Sequence, residues 1–392
     1  MPNLNEILSE IRENNITLLG ICPMSELVVQ AALEESRDYD FPAMFPATFN
    51  QVDVDGGYTG WTSKALVRRT TQIAENIGYK GPVIFARDHG GPWIRDIQKN
   101  IEDERTALEY VSHSLDADID AGFGILHIDC TLGPAGEAPA FEDVIRRTVT
   151  LFEHTHKLLR SLGRSICYEV GTEEVSGGLT EPEDFERYIS VLRKELHDRN
   201  ISAWPVFIVG QTGTNLGLEG TGNFDPERAR ILVEIANQFN MGIKQHFTDD
   251  MPDETLRMFP KVGIAAANVG PEFAAAETRA YIELAKKEQA LRPRNASNFL
   301  QILEPAVLTD GHWKRWLKKP ESTLTEKDKF DIAVVCGRYV YRNPAVAASL
   351  KTLFENLEEA DVDPKRYVID TIRKAINRYV VAFKLEGANA YF

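Results

Sequence analysis

Three of the eight histidines stand where an imidazole could do chemistry as well as pack. His89 directly follows Asp88 and precedes Gly90 and Gly91, which allow close backbone approach. His127 lies two residues before Asp129, so in an extended segment the two share one side. His246 ends the short segment Gly242-Ile243-Lys244-Gln245-His246 and is followed by Asp249 and Asp250. Imidazoles and carboxylates gathered at one mouth make the donor set of a divalent-metal site. One histidine at a strand end is as often a structural residue, but three at the same end shift the balance towards a site. His89 and His246 carry most of that weight, because His127 and Asp129 could equally orient other groups. His113, His154, His156, His197 and His312 fall in helical stretches and are expected at the surface.

These residues need a scaffold that brings distant segments together. Short apolar or β-branched runs alternate with stretches of helical periodicity, the pattern of repeated strand–helix units around a parallel sheet. Strands are predicted over 17–22, 42–48, 83–86, 123–129, 165–170, 203–209, 242–246 and 263–268. Helices are predicted over 25–35, 64–77, 141–162, 182–199 and 226–239, where Pro182 and Pro226 suit a first helical turn. Eight strand–helix units within about 290 residues match a (β/α)8 TIM barrel. A dinucleotide fold needs a glycine fingerprint after the first strand, and Cys22-Pro23-Met24-Ser25 has none. Residues 1–290 are therefore expected to form a catalytic barrel. Residues 291–392 read as a helical extension (299–308, 311–317, 326–340, 344–357, 364–383) packed on the barrel or on a neighbouring subunit.

Barrel enzymes carry their chemistry on the loops after the strands. Besides the histidines, those loops hold Asn50 and Gln51, the glycine-rich stretch 56–60, Arg87, Asp129, Glu173, Gln211, Lys244 and Asn268. The 56–60 stretch reads equally as a phosphate cradle or as a tight mobile loop, although no GK[ST] accompanies it. Composition narrows the partners. With 44 Lys+Arg against 59 Asp+Glu the formal charge is −15, which repels nucleic acid and anionic membranes. The four cysteines are scattered without a CxxC pair, and the amino-terminal stretch is polar, so a reducing cytoplasm and small core cysteines are expected. No run approaches the ~20 apolar residues of a membrane span.

Several motifs in order resemble the class II tagatose-bisphosphate aldolase accessory (non-catalytic) subunit family, a relative of the zinc-dependent class II aldolases. The longest is Ala47-Thr48-Phe49-Asn50-Gln51-Val52-Asp53 running on to Gly56-Gly57-Tyr58-Thr59-Gly60-Trp61-Thr62. Others are Asp88-His89 with Gly91-Pro92, His127-Ile128-Asp129-Cys130-Thr131, Gly171-Thr172-Glu173 and 266–272. Arg338-Tyr339-Val340-Tyr341 with Asn343-Pro344 extends the likeness into the tail.

The resemblance implies a barrel, a divalent metal (Zn, Mn, Mg, Co or Ni) and retro-aldol or aldol chemistry on a ketose or ketose phosphate, as a 4-epimerase or an aldolase. Its alternative is a non-catalytic subunit that stabilises a separate class II aldolase. Carried over by position, His89 and His246 would be metal ligands, with Asp88 and Glu173 as catalytic acids and bases. Gln211 stands where catalytic relatives place another histidine ligand, and an amide oxygen shifts the preference from zinc towards manganese or magnesium. The seventh-strand end lacks the glycine-rich phosphate-holding sequence, and its two acids would repel a phosphate. Any substrate anion is therefore expected on Arg87, Arg95 or Lys244, with Asn50, Gln51, Asp129 and Asn268 as further substrate contacts. A homo-oligomer is expected.

Overall fold

The strands predicted from periodicity close into a ring. The computed structural model describes residues 4–171, 179–215, 217–218 and 222–392. A helix α1 (Leu4–Asn14) precedes the barrel, and Arg12 Nη2 donates to the Met241 carbonyl at the start of the seventh strand. The barrel then runs β1 (Leu18–Ile21), α2 (Glu26–Tyr39), β2 (Ala43–Thr48), α3 (Ser63–Ile77), β3 (Val83–Asp88), α4 (Glu104–Ala121), β4 (Ile125–Ile128) and α5 (Phe141–Ser161). It continues with β5 (Cys167–Gly171), α6 (Pro182–Asp198), β6 (Pro205–Val209), α7 (Pro226–Gln238) and β7 (Gly242–Gln245). Two short helices, α8 (Asp253–Leu256) and α9 (Phe259–Val262), lead to β8 (Ala266–Val269) and α10 (Pro271–Leu291). All eight strands are parallel, each paired with its sequence neighbour and β8 with β1, so this is a (β/α)8 barrel.

Helix starts follow from local chemistry. Ser25, Thr62, Asp103 and Asp225 each accept a backbone N–H of the first turn of α2, α3, α4 and α7, and Pro226 fits the first helical position. Strand alternation then sorts side chains between the interior and the helical layer. On β5, Tyr168 turns outward to stack on Phe152 at 4.3 Å and reach the Thr155 hydroxyl, so Glu169 beside it turns inward. On β3, Arg87 turns outward onto Phe49 and Phe123, and Asp88 turns inward.

After residue 291 come α11 (Phe299–Asp310), α12 (Glu326–Cys336), α13 (Pro344–Glu358) and α14 (Pro364–Ala382), with 3₁₀ turns at His312–Trp316 and Gly337–Tyr339. The last turn predicted as part of α12 is thus a separate, tighter one. α14 packs on α2 and α10, and Arg373 ties it to Glu34, Glu35 and Asp38 of α2. All four cysteines are free, three of them buried. No helix among the described residues is long and apolar enough to cross a membrane.

Candidate metal centre

The barrel mouth brings Asp88, His89, His127, Glu169 and His246 together, each buried. β3 supplies Asp88 at its last position, and the chain then enters the left-handed region at His89 (φ 49°), which swings the imidazole over the mouth. β4 supplies His127 directly opposite Glu169 of β5, and His246 follows β7. Among the described residues, His89, His127 and His246 form one possible ligand group, and Asp88, His127, Glu169 and His246 a second, with the donor atoms of each within 4.8 Å.

The hydrogen bonds form a directed chain. His89 Nδ1 donates to Asp129 Oδ2 at 2.6 Å, and His89 Nε2 lies 3.1 Å from His246 Nδ1. His246 Nε2 in turn lies 3.1 Å from Glu169 Oε1 and 3.4 Å from Asp88 Oδ1. His127 Nδ1 accepts the His89 backbone N–H at 3.2 Å. Burial alone pushes the His89 imidazolium down, but Asp88 and Asp129 outweigh it and hold its pKa at about 9. Burial works against the Asp129 carboxylate, and the His89 bond and charge overcome it, holding Asp129 at about 2. Glu169 is likewise held at about 2 against burial by Lys244, His127 and His246. Asp88 stays well below the carboxylate range because His89 and His246 outweigh its desolvation, while burial lowers His246.

This donor set fits a divalent cation. It combines imidazole nitrogens with carboxylates already ionised, and His89 has the carboxylate-oriented geometry common in metal ligands. Among the described residues, His127 Nε2, Gln211 Oε1 and Asn268 Oδ1 are buried at the strand ends without a hydrogen-bond partner. Gln211, 2% exposed just after β6, donates its backbone N–H to the Thr180 hydroxyl and accepts the Thr180 N–H, but no bond joins its side chain to the histidines among the described residues.

The other expected site residues divide. Asn268 Nδ2 donates to Asp88 Oδ1 at 3.2 Å, so β8 holds the inward carboxylate in place. Asp129 is occupied by His89 and by the Thr131 backbone and hydroxyl. Asn50 bridges to Asp96 N and Ile94 O, and Gln51 accepts Thr48 N, so both brace the loop after β2. Glu173 lies outside the described residues.

The three cations expected to hold an anion are corrected by their partners. Arg87 is fully buried behind the barrel wall, in a two-pronged bond to Asp118 at 2.7 Å, and also donates to the Ala47 and Val52 carbonyls. Arg95 is held by Asp53, Asp55 and Tyr110. Lys244 does point inward, but its ammonium is spent on Glu169 Oε2 at 2.6 Å. Of the two acids expected to repel phosphate, Asp249 accepts the backbone N–H groups of Gly270 and Glu272 at the start of α10, and burial raises it to about 7. The residue not singled out from sequence is Glu169. Its signal was a lone acid inside the apolar strand Cys167-Tyr168-Glu169-Val170.

Comparison with known proteins agrees with this architecture. GatZ, a D-tagatose-1,6-bisphosphate aldolase subunit from Escherichia coli, is 26% identical over 373 residues, covering 89% of this chain and 86% of that protein. GatZ of Shigella flexneri is 26% identical over 369 residues with the same coverage. A crystal structure from Sinorhizobium meliloti 1021, described as a "probable tagatose 6 phosphate kinase", superposes with a TM-score of 0.80 at 23% identity, covering 93% of this chain and 100% of that one, which establishes the shared fold. A family profile matches residues 4–371, nearly the whole chain, and the protein therefore belongs to the D-tagatose-1,6-bisphosphate aldolase subunit GatZ/KbaZ-like family.

Proposed function

We propose that the mouth holds a divalent cation and that the protein performs retro-aldol or aldol chemistry on a ketose or ketose phosphate. The observation that carries this reading is the convergence of three imidazoles and two ionised carboxylates at the barrel mouth. His89, His127 and His246 would hold the ion with Asp88 or Glu169, and Gln211 Oε1 is a further candidate. When bound, such an ion supplies Lewis-acid polarisation of a carbonyl oxygen.

The chain's own groups then divide the remaining work. Asp88, ionised and steadied by Asn268, takes the proton from the C4 hydroxyl as the C3–C4 bond breaks. The bonding pair stays with the ketose fragment and C4 becomes an aldehyde. Return of the bond to the other aldehyde face makes a 4-epimerase, whereas release makes an aldolase. Glu169, braced by Lys244, keeps His246 oriented, and Glu173 is the proposed second proton carrier. The barrel of residues 1–290 carries this chemistry, and the extension 291–392 covers it and supplies contacts for a homo-oligomer.

The relatives' names favour a second reading, because GatZ is named as a subunit. This chain would then stabilise a separate class II aldolase without turning over sugar itself. A screen of ketohexoses, their phosphates and ketouronates with added manganese, zinc, nickel or magnesium, scored for epimer and cleavage products, separates the two. Turnover by the purified chain, lost in Asp88→Asn and His246→Ala, establishes the enzyme. Absence of turnover with every combination, together with a stoichiometric aldolase in pull-downs from the native host, establishes the accessory role.

A further inference from the structure

Arg87, Arg95 and Lys244 are neutralised by carboxylates within the protein, so none is free to receive an anion. Arg338 differs from all three. It sits in the 3₁₀ turn after α12 and is 4% exposed, yet no carboxylate pairs with it among the described residues. Its acceptors among the described residues are neutral: Nη1 donates to the Val335 carbonyl and Nη2 to the Tyr339 hydroxyl at 2.9 Å. A guanidinium has five N–H groups. Nε is buried with no partner among the described residues.

A second unsatisfied donor lies beside it. The Arg338 guanidinium carbon sits 5.4 Å from the centre of the Trp316 ring, and the Trp316 Nε1–H is also buried without an acceptor. Arg315 adds positive charge nearby, although its own guanidinium is engaged by Asp96 at 2.6 Å. A buried, unpaired cation is costly, and so is a buried indole N–H without an acceptor. A small anion would relieve both at once.

The position relates this cluster to the mouth. Tyr339, stacked under Arg338 at 4.4 Å, packs edge-on against Tyr58 at 5.0 Å. Tyr58 belongs to the glycine-rich loop after β2, where its backbone N–H donates to the Asn50 carbonyl, and Gln51 of the same loop accepts the Thr48 N–H at the end of β2. At the rim of the same loop, the Arg342 guanidinium lies so close to Gly60 that a Cβ there would meet it at 2.6 Å.

We propose that Arg338 and the Trp316 Nε1–H bind a compact oxyanion, a phosphate or carboxylate. The anion comes either from the ketose held at the mouth or from free phosphate. The first source rests on the function proposed above, and oxyanion binding itself does not.

The test is calorimetric titration of inorganic phosphate into the chelator-treated full chain. Wild type should show one saturable site. Arg338→Gln should weaken it by roughly ten- to a hundredfold, the value of one charge-assisted hydrogen-bonding group, and Trp316→Phe, which keeps the ring and removes only the N–H, by about fivefold. Should Arg338→Gln fail to fold, Trp316→Phe and Arg338→Lys decide the matter. No saturable binding by wild type overturns the proposal, as does affinity unchanged in the folded variants.

Displacement of the inorganic phosphate by a ketose phosphate, and not by the unphosphorylated ketose, identifies the substrate as the source. Simultaneous binding of both identifies a free anion. Phosphate binding in a chain that turns over no ketose would remove the proposed function and leave this site standing.

Discussion

Lys244 Nζ donates to Glu169 Oε2 at 2.6 Å with both side chains fully buried, linking β7 to β5 across the barrel interior past the intervening β6. The other oxygen of the same carboxylate faces His246 Nε2 at 3.1 Å and His127 Nδ1 at 3.5 Å. One carboxylate thus neutralises a buried ammonium and orients the His246 imidazole of the mouth. The scaffold and the candidate centre share an ion pair.

Removing one partner of such a pair leaves an uncompensated buried charge. Lys244→Met should therefore cost about 3–5 kcal/mol of unfolding free energy, whereas Lys244→Met with Glu169→Gln should recover most of it. Urea unfolding of both variants is the measurement. A loss below about 1 kcal/mol in the single variant would show that Glu169 finds another counter-charge.

Gly91 makes a different prediction, because its backbone lies directly against Asp129, the residue after β4. A Cβ built there falls 1.3 Å from the Asp129 carbonyl oxygen and 2.4 Å from its carbon, so Gly91→Ala must push the loop after β3 away from Asp129. His89 rides on that loop and depends on Asp129 for its orientation. The variant should lose about 1–3 kcal/mol of stability from overpacking and about 10–100-fold in metal affinity from the lost orienting bond. Metal affinity equal to wild type would detach Asp129 from the centre.

Much of this arrangement was legible in the sequence, and the misreadings have a common cause. The strand–helix alternation exposed the barrel because each strand had to be apolar and each helix amphipathic. His89 and His246 stood out because three imidazoles end strands at the same mouth and these two sit beside acids. Arg87 was misplaced because proximity along the chain was read as proximity in space. Asp88 points inward, and period-two alternation forces its neighbour Arg87 outward towards Asp118. The same rule, applied to β5 and β7, would have matched the inward charges of Glu169 and Lys244. What it cannot supply is the pairing of Arg338 with Trp316, which depends on how the 3₁₀ turns of the tail pack.

Metal linkage gives a readout independent of turnover. A ligand that binds only the folded state stabilises it by about 2.7 kcal/mol at a hundred times its dissociation constant. Manganese or zinc added to chelator-treated protein should raise Tm by several degrees in scanning calorimetry, and His246→Ala should abolish the rise. An unchanged Tm with each of the two ions, or an undiminished rise in His246→Ala, would remove the cation from the proposed site.

Away from the mouth, Glu277 of α10 should govern stability near neutrality. It is 1% exposed at the edge of a cavity of about 870 Å³. Its Oε1 accepts the Tyr281 hydroxyl at 2.6 Å and its Oε2 is buried without a partner. Burial raises its pKa from the ordinary 4.5 to about 7, so the folded state holds this proton more tightly than the unfolded chain does. The resulting stabilisation is complete below pH 4.5 and is lost as the pH rises through 7, amounting to roughly 3 kcal/mol. Glu277→Gln keeps the shape of the protonated acid and cannot ionise. It should match the parent at pH 4.5 and exceed its stability at pH 8 by an amount of that order. Asp249, also raised to about 7 by burial, leaves a residual slope in both proteins, so the difference between their urea midpoints isolates Glu277. Parallel curves from pH 4.5 to 8 would mean that Glu277 stays ionised in the folded protein, with a cation or water supplying the partner its second oxygen lacks.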